Sequence, residues 1–162
     1  MKRLMMAFTL CLVSVAMFGQ LNFGGGGNAK KVTSFYKDGF GEIKISEEKY
    51  VVEVKDITQK EGTFKMFLGN DAESAKESLG QIIVWCKGAA MKDYIEVNQE
   101  DGTTVVLYMF KNGQLILSYG DIDYVTEKFN SLVNNKKMTK KDQPFGYMLV
   151  VAFERALEKM GK

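Results

Sequence analysis

The chain contains no histidine, only one proline and only two cysteines among its 162 residues. The absence of histidine excludes Ser-His-Asp and Cys-His nucleophile systems, and it removes the commonest protein ligand of zinc and iron. The sequence also has no Cys-x-x-Cys pair, no Walker loop and no dinucleotide-binding fingerprint. The composition therefore predicts no catalytic residue, no metal ligands and no cofactor, and it favours a protein that is not an enzyme.

The N-terminus has the pattern of an export signal. Two basic residues precede an apolar run over residues 4–18, and Ala16 or Gly19 offers a small residue after which cleavage can occur. The run is short for a transmembrane helix. We therefore expect residues 1–19 to be a signal peptide and the protein to be secreted or periplasmic, with no transmembrane segment after cleavage.

Removal of this segment changes the charge and the cysteine content. The whole chain has 22 basic and 20 acidic residues, and the loss of Lys2 and Arg3 makes the two numbers equal. A nearly neutral chain argues against nucleic-acid binding. Cys11 is lost as well, so Cys86 has no partner for an internal disulfide.

A run of four glycines, Gly24–Gly27, marks residues 20–31 as a flexible leader, because ordering such a run costs too much backbone entropy. The remaining residues, 32–162, suit a single domain whose core needs no disulfide.

The clearest element of this domain is a helix from Asn70 to about Met91. Asn70 or Asp71 is expected to cap it, and Glu73 completes a capping box with Asn70. Its apolar residues recur at spacings of three and four and so form one stripe, which must cover a sheet. The stripe consists of Ala72, Ala75, Leu79, Ile82, Ile83, Cys86 and Ala90.

Three strand-like runs precede this helix, with apolar and polar residues alternating. Glu47-Glu48 is expected to form the first turn and Asp56–Gly62 a longer loop. The segment Val32–Tyr36 fits a strand or a helical turn equally well. The apolar positions of the three runs are Ile43, Ile45, Tyr50, Val52, Val54, Phe64, Met66 and Leu68.

Two hairpin signals follow the helix. Asp101-Gly102 and Asn112-Gly113 favour two-residue type I′ turns, and counting from them places Val97 opposite Val106. A three-residue loop with a bulge is the alternative, and it would alter this register. The predicted core face carries Ile95, Val97, Val106, Tyr108, Phe110, Leu115, Leu117 and Tyr119.

The opposite face of this second block is also apolar. An uncovered face of this kind promotes aggregation, so either the chain itself or another molecule must cover it. We interpret it as a candidate interaction face for a protein partner or a second copy of the chain. The face carries Val105, Leu107, Met109 and Ile116.

Two more helices are expected, one after Gly120 that ends at Asn134-Asn135, and one from about Pro144 to about Met160. The last helix is our first candidate for covering the apolar back face. The predicted fold is therefore α+β, with an antiparallel sheet of about six strands in the order βββα-βββα. Two helices lie on one face, and a C-terminal helix is added. Both halves pass from strand to helix through a glycine, Gly69 and Gly120, which is compatible with an internal duplication or with coincidence.

An acidic group formed by Asp121, Asp123 and Glu127 lies at the end of the last predicted strand. Carboxylates there are able to hold a divalent cation or share a proton, but a helix N-terminus attracts aspartate for capping alone. Three functions remain. The first is an exported, non-enzymatic interaction module, the second is a carrier of a small apolar or amphipathic ligand, and the third is a histidine-free hydrolase or metal-assisted enzyme.

Overall fold

The computed structural model describes residues 33–57, 62–134 and 144–161, except for the side chains of residues 132 and 133. The predicted signal peptide and glycine-rich leader lie outside these residues. The elements are β1 (Ser34–Lys37), β2 (Gly41–Ser46), β3 (Lys49–Lys55), β4 (Thr63–Gly69), α1 (Ala72–Gly88), β5 (Tyr94–Asn98), β6 (Thr104–Lys111), β7 (Gln114–Tyr119), α2 (Ile122–Val133), β8 (Phe145–Leu149) and α3 (Val150–Met160).

The strands form two antiparallel sheets of four strands each, and the predicted single sheet of about six strands is wrong. Sheet 1 has the order β1-β2-β3-β4, and sheet 2 has the order β5-β6-β7-β8. The extra strand of sheet 1 is β1, which lies in the segment that the sequence left undecided. The extra strand of sheet 2 is β8, and it occupies the first residues of the predicted last helix.

The strand β8 forms because pairing with β7 stabilises an extended conformation. Phe145–Leu149 belongs to an apolar run that fits a helical period as well as an extended one. In the fold it pairs antiparallel with β7, with Met148 opposite Leu115 and Phe145 opposite Ser118. Only from Val150 does the chain become helical.

The predicted stripe of α1 is confirmed for five of its seven residues, while the cap of the helix differs in detail. Asp71 is the N-cap residue, and its Oδ1 accepts a hydrogen bond from the Ser74 N–H at 2.8 Å. Ser74 therefore completes the capping box in place of Glu73. Ala72 is exposed at the start of the helix and Ala90 lies beyond its end. The buried residues of the helix are Ala75, Leu79, Ile82, Ile83 and Cys86.

The two hairpins of sheet 2 do not use the expected type I′ turns. Gly102 and Gly113 have φ values of 82° and 75°, but the aspartate and asparagine that precede them keep negative φ. The first loop has three residues, because Gly102 donates to the Gln99 carbonyl at 3.1 Å and the Gln99 N–H donates to Thr103 at 2.7 Å. Glu47-Glu48 instead has the positive φ at both positions that a type I′ turn requires.

These turns shift the register of β6 by one residue. Val97 lies opposite Val105 instead of Val106, and a bulge near the second turn places Leu107 opposite Leu117. The alternative with a three-residue loop is therefore correct, and the predicted side-chain parity of β6 is wrong. A shift of one residue exchanges the two faces of a strand.

The larger hydrophobic core is shared by both sheets with α1 and α3. The residues that sheet 2 contributes to it are Ile95, Val105, Leu107, Met109, Leu115, Leu117 and Met148. The other face of sheet 2 forms a smaller core with α2. The buried residues of this smaller core are Val106, Tyr108, Ile116, Val125, Phe129 and Phe145.

The helices thus occupy places other than those predicted. The back of sheet 2 is covered by α2, and α3 packs beside α1 in the larger core. The added strand of sheet 1, β1, precedes the three predicted strands and pairs with β2, whereas the added strand of sheet 2, β8, follows them and pairs with β7. The two halves are therefore arranged differently. The sheets meet where Gly146 of β8 lies directly on Val54 and Phe64, leaving no space for a β-carbon.

Candidate functional site

The apolar residues predicted as an interaction face are interior residues of the fold. Val105 and Leu107 are 0% exposed, Met109 is 1% exposed and Ile116 is 3% exposed. The first three point into the core with α1, and Ile116 lies under α2. As a surface open to a partner this prediction is wrong, because the shifted register of β6 turns the first three inward and the chain covers the fourth.

The acidic residues at the start of α2 are placed separately. The Oδ1 atom of Asp121 accepts a hydrogen bond from the Tyr124 N–H at 2.9 Å, which is the geometry of an N-cap. Asp123 and Glu127 are exposed on the helix. Within residues 33–57, 62–134 and 144–161, no group of three or more histidine, cysteine or acidic residues is arranged to hold a metal ion.

The single cysteine of the domain has the surroundings of an unreactive thiol. Cys86 is buried on α1 and forms no disulfide. Burial, with a smaller contribution from the charge of Glu154, raises the pKa of the Cys86 thiol to about 12. A thiol in such surroundings stays protonated and is a poor nucleophile.

The outer face of sheet 1 is polar, and its charged side chains pair with one another. Lys44 lies between Glu42, at 3.3 Å, and Glu53, at 2.9 Å, and Lys37 and Lys65 extend the row to the neighbouring strands. Burial lowers the pKa of Lys44, but its hydrogen bonds and the charges of Glu53 and Glu42 outweigh this and raise it overall. Paired charges on an open sheet face need no partner.

The edge strands of the two sheets present unpaired N–H and C=O groups to which a partner is able to bind. On β1, the Lys159 ammonium of α3 donates to the Ser34 carbonyl at 2.7 Å. On β8, the Phe145 carbonyl accepts from the Ile57 N–H at 2.7 Å, and the Phe145 N–H donates to the buried Asp56 carboxylate at 3.2 Å. Both of these edges are therefore at least partly blocked.

The edge of β4 is closed by side chains from sheet 2. The Tyr119 hydroxyl donates to the Lys65 carbonyl at 2.7 Å and accepts from the Lys65 N–H at 3.3 Å. The Gln99 Oε1 accepts from the Phe67 N–H at 2.6 Å. Two side chains thus take the place of a neighbouring strand.

Within the part of the chain that the structure describes, the edge of β5 is open. Asp93 and Gln99, which bracket the strand, both form main-chain hydrogen bonds with the β6 hairpin. Because such bonds alternate along an antiparallel pair, the N–H and C=O groups of Tyr94, Glu96 and Asn98 point away from β6. No main-chain bond links these three residues to any other segment of the part of the chain that the structure describes. They are the candidate site.

A small cavity lies beside this edge, between β4, α1 and β5. Its volume is about 30 Å³, which is room for a water molecule or two and far below the several hundred Å³ of a typical ligand pocket. It is a shallow, mostly apolar extension of the edge, and it gives little support to the ligand-carrier hypothesis. Its lining residues are Met66, Phe67, Leu68, Ser78, Ile82, Val97, Asn98 and Glu100.

The sequence predicted the strand at this site but not its exposure. The alternation in Tyr94–Asn98 is a clear strand signal, and Ile95 and Val97 were correctly assigned to the core face. Whether a strand lies at an edge depends on the neighbours that the rest of the sheet supplies. In a single six-stranded sheet β5 has no fixed place, and no local signal in the sequence would have shown it to be open.

The chain matches no protein-family model, no curated protein and no solved structure. None of the helices within the described residues combines the length and the apolar character needed to cross a membrane. The candidate site therefore rests on geometry alone.

Proposed function

We propose that this protein is an exported, non-enzymatic interaction module, which binds an extended segment of a partner protein as an additional strand beside β5. The observation that carries the proposal is the contrast among the sheet edges. Helix, loop or side-chain groups form hydrogen bonds with the edges of β1, β4 and β8, whereas no described residue forms a hydrogen bond with the outward main-chain groups of β5.

The site offers both affinity and shape for such a segment. Tyr94, Glu96 and Asn98 each present one N–H and one C=O, and each hydrogen bond formed contributes about 0.5–1.5 kcal/mol net. Alternate side chains of the added strand would lie against the small apolar cavity beside Val97. Main-chain bonds would supply affinity here, and the apolar surface around the cavity would favour apolar side chains at those alternate positions.

Substitution of Asn98 by proline tests this reading. The Asn98 N–H points away from β6, so Asn98→Pro removes an outward donor and leaves the ladder between β5 and β6 intact. The matched control is Asn98→Ala, because both variants lose the hydrogen bond that the Asn98 Oδ1 accepts from the Thr104 hydroxyl at 3.0 Å. Only the proline variant also loses the N–H.

Binders would be selected from a library of displayed random peptides on the wild-type protein, and their footprint would be read by amide hydrogen exchange. We expect slowed exchange at Tyr94, Glu96 and Asn98, with binding retained by Asn98→Ala and weakened about two- to twelvefold by Asn98→Pro, as the loss of one such hydrogen bond requires. A set of binders that protects none of these three amides, or that binds the proline variant equally well, would contradict the proposal.

A further inference from the structure

The open edge of β5 lies in an acidic stretch of the chain. From Asp93 to Asp101 there are four carboxylates and no lysine or arginine. Glu100 is partly neutralised by Lys49 at 3.2 Å, and the carboxylates of Asp93 and Asp101 accept hydrogen bonds from nearby main-chain N–H groups. All three groups thus have partners, Asp93 and Asp101 within their own turns and Glu100 on β3.

Glu96 differs from these three. It lies at the middle of the strand, is half-buried, and forms no ion pair or hydrogen bond with any residue in the described ranges. A half-buried carboxylate without a cation gains more from an incoming positive charge than a fully hydrated one does. The centre of the open edge is therefore the point at which a cation on the partner is favoured.

The geometry of the added strand decides where that cation must stand. Residues opposite each other in an antiparallel pair share a face of the sheet. A side chain opposite Glu96 therefore lies beside its carboxylate, while the side chains before and after it lie on the other face, toward Val97 and the small apolar cavity beside it. The pattern that fits is cationic on one face and apolar on the other.

We infer, on the basis of the proposed function, that the segment bound at β5 is basic, with lysine or arginine opposite Glu96 alternating with apolar residues. The same charges disfavour a second copy of this chain as the occupant. Two β5 strands paired about Glu96 would place identical carboxylates side by side, which is destabilising, and every other register still brings two acidic stretches together. The favoured partner is therefore another protein.

Three short synthetic peptides test the inference on the intact protein. In the first, valine alternates with lysine, and in the second, valine alternates with glutamate. The third is the lysine peptide N-methylated at its lysine nitrogens, which are the main-chain nitrogens that would face β5. Affinity would be measured at low and high salt for the wild type, Glu96→Gln and Glu96→Lys. The matched control is Glu127→Gln, which makes the same charge change on the solvent side of α2. Amide exchange at Glu96 and Asn98 reports where each peptide lies.

The lysine peptide should bind the wild type better than the glutamate peptide, and the difference should shrink at high salt. Glu96→Gln should weaken the lysine peptide about two- to fivefold, as expected for one partly exposed charge pair. Glu127→Gln should change nothing, and Glu96→Lys should reverse the order of the two peptides. The N-methylated peptide should not bind.

Equal binding of the lysine and glutamate peptides, or an order unchanged in Glu96→Lys, would overturn the inference while leaving strand addition intact if both peptides still protect the β5 amides. Binding of the lysine peptide without that protection, or undiminished binding of its N-methylated form, would overturn both the inference and the proposed function.

Discussion

The hydroxyl of Tyr119 is expected to stabilise the fold by closing the β4 edge, and Tyr119→Phe removes that group alone. The ring stays, and with it the edge-to-face contact with Phe64, whose centroid lies 5.2 Å away. What disappears is the pair of hydrogen bonds to the Lys65 carbonyl and N–H. The variant therefore isolates the side-chain substitute for a neighbouring strand.

The size of the effect follows from the surroundings of the bonds. Both partners on Lys65 are exposed, so water replaces the lost hydroxyl and no buried group is left unpaired. One good and one long hydrogen bond then contribute together about 1 kcal/mol. For a domain of this size that loss lowers the melting temperature by about 3–6 °C.

Urea unfolding at neutral pH measures the global loss, and amide hydrogen exchange at Lys65 measures the local opening of the edge. The matched control is Tyr50→Phe, since Tyr50 stacks on Phe35 at 5.7 Å and its hydroxyl bonds to no described residue. If Tyr119→Phe unfolds at the same urea concentration as Tyr50→Phe and Lys65 exchanges no faster than in the wild type, the closure of β4 by this hydroxyl is refuted.

The same group confers a dependence on pH. Burial raises the pKa of Tyr119; the hydrogen bond with Lys65 lowers it, and the charge of Asp101 raises it further. A raised pKa in the folded state means that the contribution to stability is complete below the unfolded value, near pH 10, and is lost as the pH rises through the folded value. The free energy of unfolding should therefore fall less steeply above pH 10 in Tyr119→Phe than in the wild type.

Three further predictions concern the interior. Gly146→Ala should lower the free energy of unfolding by about 1–3 kcal/mol through overpacking between the sheets. Gly80→Ala on α1, where a β-carbon meets nothing within 4 Å, should raise the free energy of unfolding by up to about 1 kcal/mol. Urea unfolding compares the two variants, and equal effects would contradict the close approach of the sheets at Gly146. Leu107→Ala should lower the free energy of unfolding by about 2–5 kcal/mol, whereas Val84→Ala, at a side chain 71% exposed, should leave it almost unchanged. A small effect of Leu107→Ala would contradict the burial of Leu107. Cys86 should resist iodoacetamide in the native protein and react in urea, as mass spectrometry would show, and rapid native alkylation would contradict its burial.

Local periodicity predicted those elements whose partners do not alter their conformation. The stripe of α1 and the alternation around Val52 and Met66 were read correctly because each pattern fits only one period. The run from Phe145 onward fits both periods, and the free edge of β7 selects the extended form for its first five residues. A neighbouring strand is a long-range cause, and the sequence around Phe145 does not contain it.

The error in the register of β6 has an equally physical origin. Asp101-Gly102 is compatible with a two-residue loop and with a three-residue loop, which differ by one residue in pairing. In the structure, hydrogen bonds from the Gln99 N–H to the Thr103 carbonyl and from the Gly102 N–H to the Gln99 carbonyl close the three-residue loop. That one residue inverted the assignment of Leu107 and Met109, and it replaced the predicted interaction face with a core.

The position of β5 within the fold is the reason to regard its edge as a binding site rather than a defect. Sheet 2 is covered on one face by the larger core and on the other by α2, so its strands are held rigidly from both sides. A strand added there meets a preorganised ladder, and little entropy is lost in ordering the receiving side. The outer face of sheet 1, in contrast, is a row of paired charges in water. Within the described residues, Tyr119, Gln99 and Lys159 form hydrogen bonds with other edges, whereas the edge of β5 presents its main-chain groups beside a sheet that is packed on both faces.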